Sequence, residues 1–235
     1  MYDNRAIIKA VLFDLDNTLL DRDRGFTAFC KSLYHNNRIM CRTHTEEEAV
    51  KLITLFDSKS KRSRQVMLTE LMKQWPKVFQ NLSEAVEFYE TNYPKMLILE
   101  SSTKILLQDL RKWRVPSAIV TNGDVLLQTN KDRESGLNNL VDATVISEEV
   151  GAEKPDKEIF QKALSLINAS PSSTLFVGDT PETDILGAKN IGMVSAWVHR
   201  NRDWPLNDSK PDYMLNHVSD VRSLILPHFG ELNPQ

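Results

Sequence analysis

Asp14 and Asp16 stand one residue apart in the stretch AVLFDLDNTLL, directly after four apolar residues that read as a buried strand. Residues i and i+2 of a strand face the same way, so the two carboxyls leave its carboxyl end close together. Neighbouring carboxylates repel unless a proton or a cation lies between them. Mg2+ is the economical cation, because it takes oxygen ligands from one or two carboxylates, keeps several waters and accepts a substrate phosphate. An Asp-x-Asp-x-Thr pattern also occurs in turns and helix caps, so its place after a strand pattern is what gives it weight.

Three further stretches put chemistry at the ends of other apolar runs. SAIVTNG offers Thr121 and Asn122, a hydroxyl and backbone N–H groups suited to phosphoryl oxygens. GAEKPDKEIF offers Lys154, a cation able to neutralise phosphate and to keep a carboxylate ionised. TLFVGDTPETDILGA ends a strand pattern on Asp179 and places Asp184 five residues later, in the first turn of the next helix. An acid there also suits the helix dipole, so Asp179 is the stronger metal ligand and Asp184 the residue that orients the site from behind it. Taken singly, Thr-Asn-Gly reads as a turn and Lys-Pro as surface.

The elements that must position these residues follow from periodicity. Short apolar runs at 10–13, 117–120, 143–146, 174–177 and 194–198 have the continuous character of parallel strands buried on both faces. Helical patterns separate them: one opens at Ile105 and Leu106, one carries Ile159, Phe160, Ala163 and Leu164, and one runs through Ile185, Ala188 and Ile191 to Gly192. The alternation predicts an α/β fold with a doubly wound, Rossmann-like parallel sheet. From Leu20 to about Leu99 only helical patterns appear, far more chain than one crossover helix needs. The expected organisation is therefore a core of residues 1–20 and 99–235, interrupted by an all-helical insert over 21–98. The run KSKRSR at 59–64 reads as a solvated interhelical turn or helix start, and the tail after Pro211 as a last short strand and a helix.

Composition narrows the classes. The 235 residues are 41% hydrophobic and carry a formal net charge of -3, so nothing points to the phosphate-backbone binding of a strongly basic face. No apolar stretch is long enough to span a membrane, and the amino terminus runs into a strand pattern without a signal peptide. The expectation is a cytoplasmic protein with no nucleic-acid or membrane partner. Cys30 and Cys41 are too few for a disulfide scaffold and read as reduced, packed thiols.

Asp14-x-Asp16-x-Thr18, Thr121-Asn122, Lys154-Pro155 and Gly178-Asp179 with Asp184, in that order, resemble the four motifs of the haloacid dehalogenase-like hydrolase superfamily. The motifs span Ala10 to about Arg200, and the insert after the first resembles that superfamily's helical cap of the first type. The wording around them is most similar to its small-molecule phosphatases, including the branch with nucleotide and N-acylneuraminate 9-phosphate phosphatases. The resemblance implies hydrolysis of a small phosphomonoester, with Asp14 as nucleophile and Asp16 as general acid and base. It further implies Mg2+ on Asp14, Asp179 and the backbone carbonyl of Asp16, and phosphoryl oxygens held by Thr121, Asn122 and Lys154. The superfamily's dehalogenases lack an acid at the position of Asp16, which sets this chain apart from them. A phosphomutase shares all four motifs, and a non-catalytic phosphate-binding module would commonly have lost one of them. Arg22, Arg24, Phe26 and His35 lie nearest the first motif, but surface charge and packing explain them more simply, and none is assigned to substrate selection.

Overall fold

The run AVLF forms β1 (Ala10–Phe13), and all four of its residues are buried, as a strand covered on both faces requires. The computed structural model describes residues 7–58, 63–207 and 209–229, with side chains through residue 225. β2 (Ser117–Thr121), β3 (Ala143–Ile146), β4 (Thr174–Gly178), β5 (Val194–Val198) and β6 (Tyr213–Leu215) complete one sheet in the order β3-β2-β1-β4-β5-β6. Every pairing is parallel; in β1, Val11 stands opposite both Ser117 of β2 and Leu175 of β4. The chain winds outward from β1 through β2 to β3, then returns to the other side of β1 for β4, β5 and β6. The winding therefore reverses between β1 and β4, and the crevice beyond their carboxyl ends is where such sheets bind ligands.

Helices α6 (Ser101–Lys112), α7 (Val125–Ser135), α8 (Ser147–Val150), α9 (Lys157–Leu166), α10 (Leu186–Asn190) and α11 (Val221–Phe229) accompany the sheet. The spacing read in α9 is what buries it: Ile159, Phe160, Ala163 and Leu164 share one cluster with Leu12, Val120 and Phe176. Phe160 meets Phe176 edge to face, with ring centroids 5.1 Å apart. Gly192 has a φ of 80°, the left-handed residue expected just past α10.

The chain divides into two compact units, Met1–Leu20 with Leu99–Gln235, and Asp21–Ile98. An isolated antiparallel bridge between Leu20 and Leu99 brings together the two ends from which the second unit departs. That unit consists of α1 (Arg22–Asn36), α2 (Arg38–Thr43), α3 (Glu46–Asp57), α4 (Arg64–Gln74) and α5 (Leu82–Asn92). Side-chain caps start them: Asp21, Asn37, Ser63 and Asn81 each accept a backbone N–H, and Thr45 forms a capping box with Glu48. Phe26, Phe29, Tyr89 and Tyr93 pack as an aromatic core. Of the run at 59–64, residues 59–62 lie outside the described residues, while Ser63 caps α4 and Arg64 begins it.

Two readings need correction. Cys41 is exposed, its thiol 3.0 Å from the Tyr34 carbonyl, and only Cys30 is buried. Arg22 is no surface charge: its Nη2 donates to both Asp57 oxygens at 2.7 Å, with both side chains buried and the guanidinium over the Phe26 ring. Helical periodicity cannot reveal a partner 35 residues away. Arg22→Met takes away the guanidinium from which both Asp57 oxygens accept and is expected to cost about 3–5 kcal/mol, whereas Arg22→Met with Asp57→Leu recovers most of it. Urea midpoints of the two variants check this; equal losses would show that the pair's packing matters more than its charge.

Among the described residues, no helix is long and apolar enough to cross a membrane.

Candidate active site

Asp14 is the first residue past β1, and its N–H donates to the Val177 carbonyl of β4 at 2.9 Å, so the nucleophile candidate is fixed at the winding reversal by backbone pairing. The loop that follows turns back on itself, with the Leu19 and Leu20 N–H groups donating to the Leu15 carbonyl at 3.0 Å and Asn17 at a φ of 64°, a conformation asparagine tolerates. Asp179 leaves the neighbouring β4 at the same level. Its backbone carbonyl accepts from Trp197 Nε1 at 2.9 Å and from Arg202 Nη2 at 2.7 Å, and its carboxylate accepts from the Thr180 hydroxyl at 3.1 Å and from Arg202 at 3.0 Å.

Asp184 lies in a π-helical turn, Pro181–Ile185, and is 1% exposed. One of its oxygens accepts the Thr180 N–H at 2.9 Å; the other is 2.8 Å from Lys154 Nζ. Gly178 makes this possible, because a Cβ there would collide with the Asp184 side chain. Lys154, 3% exposed, also donates to Asp14 Oδ1 at 2.7 Å, so one ammonium bridges two carboxylates. Asn122 secures that lysine: its Oδ1 accepts the Lys154 N–H at 2.8 Å and its Nδ2 donates to the Lys154 carbonyl at 3.0 Å. The amide side chain of Asn122 is thus committed to Lys154. Thr121, fully buried at the end of β2, accepts a short hydrogen bond from Gln128 Nε2.

Asp14, Asp179 and Asp184 each present a carboxylate oxygen within 4.8 Å of the others, and all three are buried. Burial, reinforced by the carboxylates of Asp184 and Asp179, pushes the Asp14 pKa well above the ordinary range, against the pull of Lys154. Burial likewise raises Asp179 to about 6, with Asp184 adding to it and Arg202 opposing. Lys154 is raised instead, because the attraction and hydrogen bonds of Asp14 and Asp184 outweigh its own desolvation. Among the described residues, the ion pairs of these three acids reach two cations, Lys154 and Arg202, which leaves an oxygen-only donor set short of positive charge. That set fits a hard divalent cation such as Mg2+.

The clustered carboxylates are those of Asp14, Asp179 and Asp184, whereas the expected metal set of Asp14, Asp16 and Asp179 takes only the backbone carbonyl from Asp16. The side chain of Asp16 is not in the cluster. Lys131 Nζ donates to its two oxygens at 2.9 and 2.7 Å, and Gln128 Nε2 reaches Oδ2 at 3.3 Å. Gln128, Lys131 and Arg202 were not anticipated from sequence. The available signal was polar residues three apart on the inward side of α7, VLLQTNKDRES, but its weak apolar stripe does not tell which side is inward.

A family model described as haloacid dehalogenase-like hydrolase matches residues 11–198. Human N-acylneuraminate-9-phosphatase is 30% identical, the match covering 93% of this chain and 94% of that protein. The glyceraldehyde 3-phosphate phosphatase of Methanothermobacter thermautotrophicus is 28% identical over 92% and 94% of the two chains. Among solved structures, a HAD phosphatase from Thermococcus onnurineus superposes with a TM-score of 0.66 at 26% identity, covering 93% of this chain and 98% of its own. The family model spans the sheet from β1 to β5 and every acid of the cluster, so the chain belongs to the haloacid dehalogenase-like hydrolase family.

Proposed function

We propose that the protein is a Mg2+-dependent phosphatase that hydrolyses a small-molecule phosphomonoester through an aspartyl-phosphate on Asp14. The observation that carries this reading is the Asp14 carboxylate, buried at the winding reversal with an ammonium 2.7 Å away and an acid two residues on that lies outside the carboxylate cluster. The phosphatase names of the relatives support it.

In the first half, an Asp14 oxygen attacks phosphorus while the bond to the ester oxygen breaks, and Asp16 gives its proton to the departing alkoxide. In the second, a water loses its proton to Asp16 and attacks phosphorus, releasing inorganic phosphate and the Asp14 carboxylate. Lys154, the Thr121 hydroxyl and the Asn122 backbone N–H hold the equatorial oxygens as charge redistributes. Asp184 acts from behind by fixing Lys154 and the Thr180 backbone. Asp14, Asp179 and the Asp16 carbonyl would hold Mg2+, which when bound offsets the repulsion between an anionic nucleophile and an anionic substrate.

The test is phosphate release from a panel of sugar phosphates, nucleoside monophosphates and phosphorylated acids, with Mg2+ and with chelator. Free phosphate that appears only with Mg2+ is the expected result. A phosphorylated isomer formed without free phosphate would instead identify a mutase.

A pH dependence follows. In the cation-free protein the raised Asp14 and Asp179 carboxyls favour the fold while protonated, so their contribution is present below the ordinary carboxylate range and is lost as pH rises through about 6 for Asp179 and higher for Asp14. A cation binds the ionised forms. The gain in Tm on adding Mg2+ is therefore expected to be larger at about pH 8 than at about pH 5. A gain equal at both pH values would contradict the cluster as the cation site.

A further inference from the structure

We infer that Lys131, assisted by Gln128, is the positioning residue for Asp16, gripping its carboxylate at one fixed place outside the Asp14–Asp179–Asp184 cluster. The inference rests on the acid–base role proposed for Asp16. Asp16 sits on a loop with its side chain about one quarter exposed (27%), so packing alone does not fix its carboxylate. Lys131 and Gln128 come from α7, more than a hundred residues later, and are 4% and 2% exposed. Lysine is seldom buried without a partner, since taking an ammonium out of water is costly. Here the ammonium spans both Asp16 oxygens, at 2.9 and 2.7 Å.

Gln128 extends the grip. Its Nε2 reaches Asp16 Oδ2 at 3.3 Å, the Thr121 hydroxyl, and the Asn122 carbonyl at 3.4 Å. One turn of α7 therefore ties the acid–base residue to the loop assigned to the phosphoryl oxygens. Asp16 must serve twice, first toward the leaving group and then toward water, and a carboxylate free to turn would be misplaced in both halves. Lys131 itself touches neither reacting group; it acts through Asp16.

p-Nitrophenyl phosphate separates the halves, because p-nitrophenolate departs without a proton and leaves Asp16 needed chiefly for hydrolysis of the intermediate. With Mg2+ present, Lys131→Met is expected to lower kcat about tenfold or more and KM along with it, leaving kcat/KM within about threefold because the first half is untouched. Hydroxylamine-sensitive phosphoenzyme should accumulate after acid quench, as in Asp16→Asn. Lys131→Arg, which also pairs with both oxygens, should restore turnover in part. In the Asp16→Asn background, Lys131→Met should change nothing by more than about twofold, because its route of action is already gone.

Slower turnover with phosphoenzyme as scarce as in wild type, or effects of the two substitutions that multiply, would overturn the assignment. Should Lys131→Met fail to fold, Gln128→Leu and Lys131→Arg are read by the same partition. If Asp16→Asn accumulates phosphoenzyme and the Lys131 and Gln128 variants do not, only the assignment of Lys131 falls. If Asp16→Asn itself holds none, the proposed function falls and the assignment with it.

Discussion

Asp14→Asn is expected to abolish phosphate release, by at least about 10⁴-fold, while leaving the cation-free protein as stable as wild type or more so. The two outcomes share one cause. An amide keeps the size of the carboxyl and can still accept from Lys154, but it cannot attack phosphorus and carries no charge. Wild-type Asp14 is buried beside the carboxylates of Asp179 and Asp184, with one ammonium divided between it and Asp184. Removing its charge relieves that crowding, the trade of stability for activity expected at a site whose charges are arranged for a reaction. The stabilisation by Mg2+ should shrink in the same variant. Thermal melts with and without Mg2+, beside the phosphate assay, check all three; a fall in cation-free Tm would show that the carboxylate stabilises the fold.

Lys154→Met is expected to be the most damaging change to stability in the core, about 3–5 kcal/mol, and to lose activity as well. Its ammonium lies 2.7 Å from Asp14 and 2.8 Å from Asp184, and nothing else bridges those two acids among the described hydrogen bonds and ion pairs. Without it both acids lose the ammonium that bridges them, and the penalty grows with pH as Asp14, whose carboxyl is raised by burial, ionises. Adding Asp184→Asn should return part of the stability and none of the activity, since the phosphoryl oxygens still lack their cation. Urea midpoints near about pH 5 and pH 8 measure this. A loss no larger at the higher pH would mean that packing, rather than charge, is what Lys154 contributes.

The two variants also show what the sequence made legible. Strands built as short, mostly apolar runs, AVLF and VSAWV among them, are found where they were expected because burial on both faces favours apolar residues; Ser195 is tolerated in VSAWV because its hydroxyl donates to Asp212 at 2.7 Å. Residues at strand ends converge because a parallel sheet aligns its carboxyl ends, which is why Asp14, Thr121 and Asp179 could be placed together before any contact was known. Lys154 and Asp184 followed from their positions just beyond such ends.

What stayed hidden depends on side-chain direction. The Asn122 amide turns onto the Lys154 backbone, and the Asp16 carboxylate turns to Lys131; neither choice leaves a periodic trace. α7 was missed because its inward face carries Gln128, Lys131 and Asp132 along with Leu127, so polarity and burial disagree along it. Such disagreement marks a site rather than an error of pattern. The Arg22–Asp57 pair was invisible for a related reason, since each charge alone looks like surface.

The most direct test of the central claim is mass spectrometry of Asp16→Asn, mixed with Mg2+ and p-nitrophenyl phosphate, whose leaving group needs no proton, and quenched in acid. The account predicts one phosphoryl group on the peptide that holds Asp14, absent from Asp14→Asn and removed by hydroxylamine. Phosphate release by wild type with no phosphoryl group trapped on Asp14 would contradict it.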